Sequence, residues 1–148
     1  MNSPPAESND PFELSRFVEA QQDSFELALS EVKHGQKRSH WMWFIYPQLR
    51  GLGQSSMANR FGITGLDEAH AYLAHGVLGP RLVTMCDAVL AVEGRSATQI
   101  FGSPDNKKLH SCATLFAHIS IADSVFHQII AKYFDGESDP QTLQLLSR

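Results

Sequence analysis

Cysteine is almost missing from this chain, with Cys86 and Cys112 the two in 148 residues. A scaffold stapled by several disulfides is therefore excluded, and a chain of this length buries enough surface not to need metal or disulfide staples. Long apolar runs are missing as well. The longest, Trp41 to Tyr46, falls far short of the roughly 20 residues that span a bilayer, so no membrane partner is expected. Nor is there an excess of positive charge. Twelve Lys and Arg face 16 Asp and Glu, for a net charge of -4. General nucleic-acid binding needs a basic face that releases counterions, and this balance argues against it. The opening stretch, MNSPPAESND, has neither a basic n-region nor an apolar h-region and does not read as a secretory signal. Its Pro, Ser and Asn content predicts a disordered arm over residues 1–9, ahead of one domain over 10–148, and the protein is expected to be cytoplasmic.

Alternating polarity, internal repeats and a dividing linker are also lacking. What is present is helical. Asp10-Pro11, Ser103-Pro104 and Asp139-Pro140 each pair an N-cap residue with proline at the first helical position. Ser96 with Gln99, and Thr64 with Asp67, have capping-box spacing. Apolar residues then recur at i, i+3, i+4 and i+7 in four sets. These are Phe25, Ala28, Leu29, Val32; Leu82, Met85, Cys86, Val89; Leu109, Cys112, Ala113, Phe116; and Phe126, Ile129, Ile130, Tyr133. Each is a stripe that must face a core. The expected fold is all-α, a compact single domain of about seven to nine short helices.

Ser39 to Gly53, SHWMWFIYPQLRGLG, stands apart because it holds both tryptophans and ends in a Gly-x-Gly turn. Read as a helix, Ser39 to Tyr46 is apolar on every face, and Pro47 disfavours α geometry at Tyr46 and ends it there. Such a helix either runs through the interior or walls a ligand pocket.

The pocket reading draws on Arg50-Gly51-Leu52-Gly53-Gln54-Ser55-Ser56. Glycines let backbone approach a ligand, and Ser55 or Ser56 could cap the next helix, whose free N–H groups favour an anion. Arg50 could hold a phosphate bidentately and Trp41 or Trp43 could stack on a base. The candidate ligand-binding set is His40, Trp41, Trp43, Arg50, Gly51, Gly53, Ser55 and Ser56, for a small anionic or nucleotide-like ligand. The third glycine of a dinucleotide fingerprint is absent, because position 56 is serine. The plain alternative is a glycine turn beside a core helix. His40 and His75 are general acid–base candidates, with capping or packing as the commoner role for such residues.

Metal chemistry is not expected, and no cofactor is implied. Glu31-x-x-His34 lies opposite the Phe25 stripe and should face solvent, while His110 and His118 would sit about 12 Å apart on one helix. Cys86 is followed by Asp87, which raises a thiol pKa, and Cys112 lies on a buried stripe, so both should be reduced core residues. No Gly-x-Ser-x-Gly elbow is present. Lys107 and Lys108 fall in the first turn of a helix, where the dipole disfavours cations.

Three strings carry a resemblance: KRSHWMWFIYPQLRGLG, AYLAHGVLGPRL and IFGSPDNKKLHSCATLF. Through them the chain, from about Asp10 to about Leu146, resembles a bacterial and fungal family of domains of unknown function. Its members are often labelled "calpastatin", and an uncharacterised mycobacterial protein represents it. The resemblance implies a small, mostly helical fold and no established activity. The calpastatin label does not transfer, because it denotes a disordered, repetitive inhibitor and this chain has no repeats. Gly76 replaces the family's usual proline, and Cys112-Ala113 replaces a common Ser-Met. The order of helices and loops is also similar to that of ADP-ribosyl N-glycosidases, but their Glu-His-Tyr string has no equivalent here. Two functions follow: a pocket for a nucleotide-like anion, with a glycosidase or hydrolase as its enzymatic form, or a non-enzymatic protein-interaction domain with the aromatic helix as core and an unspecified partner.

Overall fold

The computed structural model describes residues 10–148, so the arm expected over residues 1–9 lies outside the described residues. Ten helices follow in order: α1 Ser15–Gln22, α2 Phe25–Lys33, α3 Met42–Ile45, α4 Ser56–Phe61, α5 Leu66–Ala74, α6 Leu78–Leu90, α7 Ala97–Phe101, α8 Asp105–His118, α9 Val125–Tyr133 and α10 Pro140–Leu146. Strand pairing among the described residues is limited to one isolated parallel bridge, Leu49 with Ile63. The fold is all-α, as the period of 3.6 requires. Ten helices are described against about seven to nine expected, and the shortest, α3 and α7, have 4 and 5 residues.

The four stripes build the core. Leu82, Met85, Cys86 and Val89 of α6 are buried, as are Leu109, Cys112, Ala113 and Phe116 of α8. Helix α8 is the hub, packing on α7, α9 and α10, while α6 packs on α2, α5 and α9. Because neighbours surround α8, it is buried on nearly every face from Leu109 to Ala117. Its two buried hydroxyls are satisfied: Ser111 Oγ donates to Lys107 O at 3.0 Å, and Thr114 Oγ1 accepts from Asp139 N at 2.9 Å.

Capping follows the sequence in part. Ser96 and Gln99 form a reciprocal capping box, and Asp139 caps α10 by accepting from Thr142 N. Elsewhere the caps shift. Asp10 accepts from Leu14 N and Ser15 N, so its helix starts four residues beyond Pro11. Helix α8 begins at Asp105 with Pro104, not Ser103, at its N-cap. Thr64 pairs with Glu68 rather than Asp67, its N–H and hydroxyl both donating to Glu68 Oε1 at 2.9 Å. His75 Nδ1 accepts from Val77 N and Leu78 N, which gives α6 a side-chain cap even though glycine stands at position 76.

Candidate functional site

The aromatic segment is core. Its helical part is the single turn α3, and Trp41, Met42, Phe44, Ile45 and Tyr46 are all buried. Three polar tethers from three helices hold it. Trp41 Nε1 donates to Glu31 Oε1 of α2 at 2.9 Å, Gln21 Nε2 of α1 donates to Phe44 O at 2.7 Å, and Tyr46 Oη donates to Met85 O of α6 at 2.7 Å. Edge-on rings complete the packing, with Phe101 against Trp41 at 6.5 Å and against Tyr46 at 5.7 Å. Trp41, 1% exposed, offers no face to a base. Trp43 is half-buried against the core, and Lys108 Nζ sits 4.9 Å from its ring centroid. Lys108 therefore covers an aromatic face and also pairs with Asp105 at 3.3 Å. His40 is exposed, outside this packing.

Glu31 corrects the expectation of a solvent-facing carboxylate. It is 8% exposed, and four donors converge on it: the N–H groups of Arg38 and Ser39, Ser39 Oγ and the Trp41 indole. Burial alone would raise its pKa. The hydrogen bonds, led by the Ser39 hydroxyl, outweigh burial and hold it down to about 2. His34, three residues on, is exposed and bonds back to Ser30 O. No cluster of metal-ligating side chains occurs among the described residues.

The glycine loop closes on the chain itself. Leu49 and Ile63 pair because Arg50 N donates to Ile63 O at 2.8 Å and Ile63 N to Gln48 O at 2.9 Å. The thirteen-residue excursion between them turns at Gly51, whose φ of +105° favours glycine. At Gly53 a Cβ would lie 2.7 Å from the Ala58 Cβ. Its close approach is therefore to α4, not to an open binding surface. Gly53→Val is expected to destabilise the fold by about 1–3 kcal/mol, read as a lower melting temperature. Ser55 caps α4 by accepting from Ala58 N at 3.1 Å, and Ser56 begins that six-residue helix.

Arg50 alone of the loop set lines a cavity of any size. A groove of about 500 Å³ runs between the Leu49–Arg50 bridge, the first turn of α5 and the end of α10. Arg50 and Arg148 both line it, and so do Leu145 and Leu146. Gly51 does not line it, although a Cβ there would lie 3.8 Å from Leu145, which does. The back wall is Thr64 to Glu68. Gly65, the N-cap of α5, supplies no side-chain cap, so the first amides of this helix are uncapped, with Asp67 and Glu68 in its first turn. Of the two carboxylates there, Glu68 is 1% exposed and paired with Arg16 Nη2 at 2.8 Å. Asp67 is exposed. Neither Arg148 nor the α5 turn belonged to the set read from the sequence. Arg148 lies 98 positions from Arg50, and no periodicity joins an arginine beyond one helix to the start of another.

Both cysteines are buried and free. Burial, then Asp87, raises the Cys86 thiol, and burial, then Cys86, raises Cys112. Each should react slowly with a thiol reagent in the native state and quickly after unfolding, as a time course with and without denaturant would show. No helix among the described residues is long and apolar enough to cross a membrane.

One solved structure matches the fold closely. No curated protein matches the chain. A crystal structure of the conserved hypothetical protein Rv1873 from Mycobacterium tuberculosis is 50% identical, with a TM-score of 0.92 over 94% of this chain and 99% of that one. The model for "Protein of unknown function (DUF1810)" matches residues 11–146. A match over nearly the whole described fold places the chain in the DUF1810 family of proteins of unknown function.

Proposed function

We propose that the chain is a binding domain whose site is the groove between Arg50, the first turn of α5 and Arg148, and that its ligand is a small anionic molecule such as a nucleotide. One observation carries the reading: two arginines from distant parts of the sequence line one groove with an uncapped helix N-terminus at its back wall. Its volume, about 500 Å³, is in the range of small-molecule sites. Glu68 does not oppose an anion there, because Arg16 neutralises it. The reading stops at binding. Glu68 is committed to Arg16 and Thr64, which leaves Asp67 as the carboxylate from which a hydrolase or glycosidase reading would have to start.

Calorimetric titration with inorganic phosphate, AMP and ADP-ribose tests this. A charge-assisted contact contributes about 1.5–3 kcal/mol, so Arg50→Ala should weaken binding about ten-fold or more while the helical spectrum stays intact. Equal affinity in Arg50→Ala would remove the groove from consideration.

The buried state of Trp41 favours a second reading, a non-enzymatic interaction domain, since an aromatic segment tethered at three points is a core and not a pocket wall. Absence of any titration heat at millimolar ligand would put that reading ahead.

A further inference from the structure

A second groove, of about 610 Å³, lies between α1 and α5. Its floor is apolar: Leu14 and Val18 from the α1 side, Ala71 and Ala74 from α5. Phe12 lines both this groove and the one beside Arg50, so the two lie on either side of Phe12 along α5. The halves differ in character. The Arg50 half carries two arginines against one free carboxylate, Asp67, since Arg16 neutralises Glu68; the Val18 half carries no arginine and is rimmed by Asp10 and Glu19. Both rim carboxylates repel a second negative group. Asp10 stays ionised, because although burial raises its pKa, hydrogen bonds from Ser15 and Leu14 lower it further. His75, also at that end, already accepts from the first amides of α6. An occupant that spans both grooves past Phe12 therefore has one orientation, with charge at Arg50 and hydrocarbon against Val18 and Ala74.

We infer that the ligand is an amphiphile, an anionic head joined to an aliphatic chain, with its head between Arg50 and Arg148 and its chain passing Phe12 into the α1–α5 groove. This rests on the anion-binding reading of the Arg50 groove and adds the chemical class of the ligand. On the α1 side the lining runs from Leu14 to Glu19, about 7.5 Å at 1.5 Å rise per residue, room for several methylenes of a chain.

The experiment is calorimetric titration of the full chain with methyl, butyl and octyl phosphate and with octanoate and octanol, each kept monomeric. A buried methylene is worth up to about four-fold in affinity, and an open groove delivers part of that. Affinity should rise roughly two-fold per methylene from methyl to octyl phosphate, octanoate should follow octyl phosphate, and octanol should bind far more weakly. Arg50→Ala should weaken the whole series by a common factor. Val18→Glu, or Ala74→Glu at an exposed position should Val18→Glu not fold, should abolish the dependence on chain length and leave methyl phosphate unchanged. If methyl and octyl phosphate bind alike, the amphiphile is wrong and the anion site stands. If no member of the series binds, both readings fall. Octanol binding as tightly as octyl phosphate, or a chain-length increment that survives both groove variants, would also overturn the inference.

Discussion

Glu31→Gln is expected to lower the stability of the protein by roughly 3 kcal/mol at neutral pH and to flatten its acid limb. The carboxylate is 8% exposed and receives two backbone N–H groups, a hydroxyl and an indole N–H. An amide in its place can keep the three N–H donors on its oxygen, but its NH₂ then faces Ser39 Oγ, which must turn from donor to acceptor, and all four bonds lose their charge assistance. A hydrogen bond to a charged group contributes about 1.5–3 kcal/mol against about 0.5–1.5 kcal/mol for a neutral one, so the loss over the set is of this order. The pH dependence gives a second route to the same size. The folded-state pKa, about 2, lies below the usual 4.5, so the folded protein holds this proton less tightly than the unfolded chain. The contribution is thus complete above about pH 4.5 and is lost as pH falls toward 2. At about 1.36 kcal/mol per unit the gap is worth roughly 3 kcal/mol. Denaturant unfolding of both proteins from pH 7 to pH 2 measures it, and the wild-type advantage should shrink across the lower part of that range. A constant difference down to pH 2 would show that Glu31 does not titrate as this geometry requires. The emission of Trp41, whose N–H exchanges a carboxylate for an amide oxygen, should shift in the variant while it remains folded.

Glu31 also shows where the sequence stopped being informative. Period-3.6 spacing located the buried faces of α2, α6, α8 and α9, because burial of a helix face is a local pattern. It placed Glu31 in solvent for the same reason: the residue lies off the α2 stripe. What buries it is the Arg38–Trp41 segment folding back over α2, and no local pattern encodes that return. The aromatic segment was legible as interior or pocket wall, and the tethers that decide between them come from Gln21, Glu31 and Met85. The glycine loop was legible as a turn with close backbone approach. That the approach at Gly53 is to Ala58 needed the return of α4. Of the residues proposed for a ligand, Arg50 lines the groove, and its companions came from the first turn of α5 and the chain beyond α10. The capping shift at Thr64 has a related cause. Glu68 and Asp67 are both acidic and one position apart, and Arg16 from α1 selects Glu68.

Arg16→Ala should be the other strongly destabilising change, at about 3–5 kcal/mol. The Arg16 guanidinium gathers one surface of the fold. It donates to Phe12 O at 2.6 Å, Arg60 O at 2.8 Å and Gly62 O at 3.1 Å, and pairs with Glu68 Oε2 at 2.8 Å. It also lies 4.4 Å from the Phe17 ring centroid. Removing it leaves the Glu68 carboxylate, 1% exposed, as a buried charge with only Thr64 for company. The penalty of an uncompensated buried charge exceeds what the pair contributes when whole, so a second substitution should recover part of the loss. Glu68→Gln is expected to cost less in the Arg16→Ala background than in the wild type, by about 1–3 kcal/mol in a double-mutant cycle. Additive losses would mean that Arg16 acts through its carbonyl contacts alone. Those contacts hold the start of α1 and the end of α4 beside the Arg50 groove, and Glu68 lines its wall. The single Arg16→Ala variant should therefore also weaken phosphate binding in the temperature range where it stays folded, and restoring Glu68 neutrality by Glu68→Gln should recover affinity together with stability.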